Sequence, residues 1–306
     1  MEVGELVARV SAGEARAVAR LISWVEDGSP ALADALAALP PGPAAYVVGL
    51  TGSPGVGKST VTSALVGAYR ARGLRVGVLA IDPSSPFTGG ALLGDRIRMQ
   101  EHATDRGVFI RSMASRGHLG GMAAATPQAV RVLEAAGCEV VLIETVGVGQ
   151  SEVDVAATAD ATVVLLAPGM GDGVQAAKAG ILEIADIVCV NKADREGAES
   201  TARDVRQMLR LGSPVDGWTP LVVTSVAARG EIADLVDALD ARRAWLAEGD
   251  RGWQRRRARA TAEILALAGG RARVLLAERL TAETVDAVAE GRMSSYVAAD
   301  GLLPSD

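Results

Sequence analysis

Residues Gly52-Ser53-Pro54-Gly55-Val56-Gly57-Lys58-Ser59 form a complete Gly-x-x-x-x-Gly-Lys-Ser phosphate loop, and no other stretch constrains the chain as much. The apolar run Tyr46-Val47-Val48-Gly49-Leu50 precedes it and reads as a buried strand, while Lys58 to Val66 reads as a helix. A Gly-rich turn matching by accident would not need that strand–loop–helix setting. The glycines let the backbone turn its N–H groups inward around a polyphosphate, and the helix N-terminus adds partial positive charge. In this pattern Lys58 reaches the β- and γ-phosphates and Ser59 offers its hydroxyl to Mg²⁺, with Thr60 beside them among the expected nucleotide contacts. The loop implies a nucleoside triphosphate ligand.

From Ala44 to about Leu239, apolar runs at 46–50, 75–81, 108–111, 139–144, 161–167, 187–190 and 220–224 alternate with helical stretches. Such alternation predicts an α/β fold, a P-loop domain with a mostly parallel central sheet whose ligands sit at the C-terminal strand ends. Residues 1–39 read as helical, with apolar residues at helical spacing (Leu6, Val10, Val18, Leu21, Ile22, Val25). Ser29-Pro30 reads as a helix start, serine as N-cap and proline in the first helical position, and Pro40-Pro41-Gly42-Pro43 as a boundary. Beyond a helix from Gly230 to about Trp245, five arginines fall within the nine residues from Arg251 to Arg259. They read as helical charges on an exposed face or at a subunit interface. The expected division is an N-terminal helical extension (1–43), a nucleotide domain (44–246) and a helical C-terminal arm (247–306) too small to fold alone.

Lys+Arg 31 against Asp+Glu 37 gives a net charge of −6, so neither a nucleic-acid partner nor an anionic membrane surface is expected. No apolar run is long enough to span a bilayer, and the N-terminus lacks a signal peptide. Cys138 and Cys189 lie in or beside strand-like runs and read as buried core thiols, which suits a reducing compartment; the expected location is cytoplasmic, or an organelle lumen if a segment outside this sequence directs the protein there.

The remaining motifs fall at predicted strand ends. The run ending at Ile81 leads into Asp82-Pro83, where a carboxylate would bind Mg²⁺ through water or orient the attacking water, or would simply open an Asp-Pro turn. Asp95, in Gly94-Asp95-Arg96-Ile97-Arg98-Met99, is a second carboxylate candidate within a long Ser/Gly/Pro-rich segment that reads as a switch. Glu144-Thr145-Val146-Gly147 places an acidic residue near Mg²⁺ and the Gly147 N–H where it can sense a γ-phosphate. Gln150 lies three residues beyond that glycine, so it is not expected to position water. Gly169 to Lys178 reads either as a loop beside the nucleotide or as an ordinary strand-to-helix connection. Asn191-Lys192-Ala193-Asp194 is the base-reading pattern of GTPases: a carboxylate accepts both N–H bonds of the guanine edge, for which adenine has no matching donor pair. Ser225-Val226-Ala227 occupies the place of the last guanine-contacting loop, where a Ser-Ala pair is usual and Val226 departs from it.

Taken with the Gly52–Ser59 loop, Ile81 to Pro86, Gly94 to Met99, Glu144 to Glu152 and Asn191 to Asp194, the chain resembles the methylmalonyl-CoA mutase-associated GTPases of the MeaB/ArgK type. The resemblance covers nearly the whole chain. It implies a homodimer joined through the C-terminal helices, with GTP/GDP and Mg²⁺ as ligands. It also implies a partner, an adenosylcobalamin-dependent acyl-CoA mutase whose cofactor delivery the GTPase gates and which it protects or reactivates. Hydrolysis is then slow alone and faster with the partner, and the Gly169–Lys178 loop becomes an additional switch. Lys58, Ser59, Asp82, Asp95 and Glu144 match family positions in the Mg²⁺–phosphate site. A transport-linked ATPase or kinase, a metal-insertion GTPase and a non-enzymatic scaffold that binds nucleotide without turnover are the rival readings. The first conflicts with Asn191–Asp194, and the second with a chain holding only His102 and His118 and no Cys-x-x-Cys pair.

Overall fold

All seven apolar runs become strands. In the computed structural model, which describes residues 2–41, 44–82, 100–102, 104–114, 122–145, 155–169, 181–210 and 217–303, these are β1 (Tyr46–Thr51), β2 (Val76–Asp82), β3 (Val108–Ala114), β4 (Val140–Thr145), β5 (Ala161–Leu166), β6 (Ile187–Asn191) and β7 (Leu221–Ser225). They form one sheet in the order β3-β2-β4-β1-β5-β6-β7, and every pairing is parallel. A parallel sheet needs cover on both faces, so its strands carry apolar residues continuously; β1, β4, β5 and β6 are buried along their whole length.

The cover comes from different parts of the chain. On one face, Val47, Leu79, Ile81, Val141 and Ile143 pack with Ala129, Val130 and Leu133 of α5 (Met122–Ala135). The same cluster holds the buried stripes of α1 (Val3–Ser11) and α2 (Ala15–Asp27), including Leu6, Val10, Val18, Leu21 and Ile22, and Ala35 of α3 (Leu32–Ala38). The N-terminal helices therefore share the core of the sheet. On the other face, Val48, Leu50, Val78, Leu142, Val163 and Cys189 pack with α4 (Lys58–Ala71) and α7 (Ala233–Ala247). Near the β7 edge, Val205 of α6 (Ala198–Leu209) joins Val164 and Val188. Cys138 and Cys189 are free, buried in opposite faces, and burial pushes their thiols up to about 11 and about 12. Among the described residues no helix is long and apolar enough to cross a membrane.

Two local expectations change. The third helix begins at Leu32, with Ala31 as its N-cap and no side-chain cap; the Ser29 carbonyl, in place of its hydroxyl, accepts the Leu32 amide at 3.0 Å. Pro30 therefore lies in the turn ahead of the helix. The second change concerns the basic run, which opens α8 (Arg251–Arg279). Two of its five arginines turn inward. Arg255 donates to the carbonyls of Ala156 (2.8 Å) and Ala159 (2.8 and 3.0 Å), and Arg259 pairs with Asp160 at 2.9 Å. Asp160 in turn accepts the Val47 amide of β1 at 2.9 Å. A long side chain can place its charge at a distant carbonyl while its stem covers apolar surface, and spacing alone does not reveal that reach. The helix spans 29 residues, about 43 Å at 1.5 Å per residue, and Gly270 is its buried residue. It is followed by α9 (Ala282–Ala289) and α10 (Ser295–Leu302), each opened by a hydroxyl cap, Thr281 to Thr284 N and Ser294 to Val297 N.

Candidate nucleotide-binding and hydrolysis site

The phosphate loop joins the C-terminal end of β1 to α4. Gly52, at φ 142°, runs against β5: a Cβ there would lie 2.3 Å from the Leu165 carbonyl oxygen. Gly57, at φ 97°, leaves room for the Asn191 amide, which a Cβ would meet at 2.5 Å. Both positions need a positive φ and the absence of a side chain. Lys58 is 8% exposed, and its ammonium folds back over the loop to donate to the carbonyls of Gly52 (2.7 Å) and Ser53 (3.1 Å). Thr60, one residue past Ser59, is exposed.

Parallel register brings the acidic residue of β4 to the same place. Leu50 of β1 lies opposite Glu144, so the carboxylate emerges beside the loop. Ser59 Oγ donates to Glu144 Oε1 at 2.7 Å, and Thr62 Oγ1 lies 2.9 Å from Glu144 Oε2 and 3.0 Å from the Lys58 carbonyl. Glu144 is 3% exposed and Thr62 is fully buried. Thr145 and Thr51, at the ends of β4 and β1, meet at 3.3 Å. Sequence reasoning did not name Thr62; the available signal is its position four residues after Lys58, which puts both on one face of the helix. A hydroxyl and a carboxylate in contact form a hard-oxygen donor pair, the chemistry that suits Mg²⁺ beside phosphate oxygens. Asp82 is the last residue of β2, two strands from β1 in the sheet. Asp95, Gly147, Gln150 and the loop beyond Gly169 up to Lys178 lie outside the described residues.

The ends of β6 and β7, which carry the residues expected to read the base, adjoin the loop. Asn191 does not point outward: its Nδ2 donates to the Val56 carbonyl at 2.9 Å, and its Oδ1 accepts from Ser225 Oγ (3.1 Å) and the Ala227 amide (3.2 Å). One buried amide thus fastens the phosphate loop to the loop after β7. Lys192 takes the left-handed conformation (φ 58°) and donates to the Gly55 carbonyl at 2.6 Å. Asp194 is exposed at the rim of the site, and Val226 and Ala227 are buried behind it. The structure therefore gathers Gly52 to Ser59, Glu144, Asn191, Lys192, Asp194 and Ser225 to Ala227 around one end of the sheet, with a cationic amine, a hydroxyl–carboxylate pair and the exposed Asp194 carboxylate in sequence along it.

The family model of the methylmalonyl-CoA mutase-associated GTPase MeaB matches residues 18–282. The chain belongs to the MeaB family. A Pyrococcus abyssi protein carrying a provisional GTPase name is 46% identical over 314 residues, covering 98% of this chain and 96% of that one. The GTPase ArgK of Escherichia coli is 39% identical over 235 residues, 74% of this chain and 71% of its own. Among solved structures, a protein described as an LAO/AO transport system kinase superposes with a TM-score of 0.75 at 27% identity, covering 98% of this chain and 96% of that chain. As a MeaB-family member with an assembled phosphate loop, the chain is a P-loop GTPase that binds guanine nucleotide and hydrolyses GTP. Among the described residues no group of three His, Cys, Asp or Glu is placed to hold a metal ion.

Proposed function

We propose that this GTPase is a chaperone for an adenosylcobalamin-dependent acyl-CoA mutase, methylmalonyl-CoA mutase first among them, gating cofactor delivery and protecting or reactivating the mutase. The family match over residues 18–282, whose description names that mutase, carries the proposal. The site supports the chemistry it requires. Water attacks the γ-phosphorus of GTP, the bond to the β-phosphate oxygen breaks, and GDP and phosphate leave. Lys58 carries positive charge to the β- and γ-phosphates, and loop amides surround them. Ser59 and Glu144 are the residues that would hold Mg²⁺, with Asp82 and Asp95 as further carboxylates for the ion or the water. When bound, the ion supplies charge neutralisation at the phosphate oxygens. Gly147 is proposed to register the γ-phosphate and Asp194 to read guanine. The protein acts in the cytoplasm in this reading, which divides the chain into an N-terminal helical extension (1–43) whose apolar side chains complete the core of the sheet, the nucleotide domain (44–246) and the arm (247–306).

The arm supports a homodimer. Among the described residues, every large apolar side chain classed as exposed lies between Trp253 and Leu303, including Ile264, Leu265, Leu275 and Tyr296 at 61 to 86% exposure. Apolar surface concentrated on the C-terminal helices α8 to α10 and their connections calls for a partner face. Sedimentation equilibrium should return the mass of two chains, and a monomer at micromolar concentration would refute the dimer. The function itself is tested by GTP turnover with and without purified adenosylcobalamin-dependent mutases. Stimulation of about tenfold or more by one mutase is expected, and turnover indifferent to all of them would overturn the chaperone role.

A further inference from the structure

Asp194 stands at the rim of the site, and the loop after β7 has little left to hold it with. Ser225 Oγ and the Ala227 amide are both committed to Asn191 Oδ1, and the Val226 amide donates to the Glu231 carbonyl at 3.0 Å. Val226 has no side-chain donor. The same turn does send one group outward. Val226 and Glu231 close it as an isolated antiparallel bridge, the Arg229 amide donates to the Val226 carbonyl at 2.8 Å, and Gly230 turns the chain at φ 75°. The tip is thus fixed at both ends, and from it Arg229 Nη2 reaches Asp194 Oδ2 at 3.3 Å.

We propose that Arg229 is the positioning residue of the base-reading carboxylate, holding Asp194 from the solvent side so that it faces the guanine edge. A carboxylate has about four acceptor sites, and one guanidinium contact leaves room for the two N–H groups of guanine. The inference rests on the reading of Asp194 as the guanine-recognising group. With side-chain exposures of 61% for Arg229 and 36% for Asp194, the pair is screened by water and adds little to the stability of the ligand-free protein. A base seated against Asp194 removes water from one side and strengthens the pair; by linkage, the pair strengthens binding of the base equally. Arg229 therefore acts on nucleotide affinity rather than on folding, and its action is sensitive to salt.

The test is a titration of Arg229→Ala, Arg229→Lys and Asp194→Asn with fluorescent GDP and ADP at about 0.03 and about 0.3 M salt. Arg229→Ala is expected to bind GDP about threefold to fivefold more weakly at low salt, with ADP binding unmoved and the gap closing at high salt. Arg229→Lys should recover part of the loss, and the melting temperatures should match. GDP affinity equal to the parent at both salt levels, or tighter because Arg229 competes with the base, overturns the proposal. If Asp194→Asn loses guanine preference in that case, base reading survives and the positioning role alone fails. If Asp194→Asn also keeps the preference, both fail.

Discussion

Replacing Lys58 by alanine is expected to lower GTP turnover by about 10²- to 10³-fold while the fold stays intact. The ammonium is the cation of the phosphate loop, held over Gly52 and Ser53 at the mouth of the anion site. Charge accumulates on the transferring phosphoryl group in the transition state, and a fixed cation in a water-poor site stabilises it far more than the same charge in bulk water. The structural cost is small by comparison. Lys58 opens α4, where alanine is a good helix former, and its bond to the Ser53 carbonyl is only partly buried. Phosphate release under single turnover, measured beside thermal melting, separates the two effects. Turnover within about threefold of the parent would remove Lys58 from the hydrolytic machinery.

The second large effect concerns the base. Asp194→Asn should lower the preference for GTP over ATP by about 10²-fold and raise affinity for xanthosine triphosphate. In the proposed role the carboxylate offers two acceptors to the N1–H and N2–H donors of guanine; an amide turns one acceptor into a donor and sets donor against donor. Hydrogen bonds to a charged group are worth about 1.5–3 kcal/mol each, so losing one and burying a mismatch accounts for the factor. Because Asp194 lies exposed on a loop, the substitution leaves the core alone. Competition binding with the three nucleotides decides it, and an unchanged GTP-to-ATP ratio would assign base recognition elsewhere.

The fold was legible in the sequence to the degree that burial is continuous. Strands such as Val140–Thr145 and Ile187–Asn191 are covered on both faces, so each appears as an unbroken apolar run, and parallel order then follows from alternation with helices. The Ser59–Glu144 contact was foreshadowed by two motifs, since register places one strand end beside the other. The role of Asn191 was only half visible. Its motif announces guanine, yet its side chain ties together two loops, a function that depends on where Val56 and Ser225 come to rest. Arg229 and Arg255 were hidden for the same reason: a guanidinium on a flexible stem finds its partner in three dimensions, 35 residues away for Arg229 and nearly a hundred for Arg255. The Ser29-Pro30 signal misplaced a helix start by two residues because a backbone carbonyl did the work expected of a hydroxyl.

The strand order also governs how this protein comes into being. β1 is synthesised first, yet the strands that flank it are β4 and β5, and the chain reaches them only after β2 and β3 are complete. Until then a nascent chain holds the phosphate-loop sequence beside a strand with neither neighbour, and every pairing it will make is distant in sequence. Such topologies close slowly and expose unpaired edges meanwhile, which makes the emerging chain a natural client of general folding factors. The loops carrying Asn191 and Ser225 arrive later still, so guanine nucleotide can stabilise only the finished domain and cannot template the early steps.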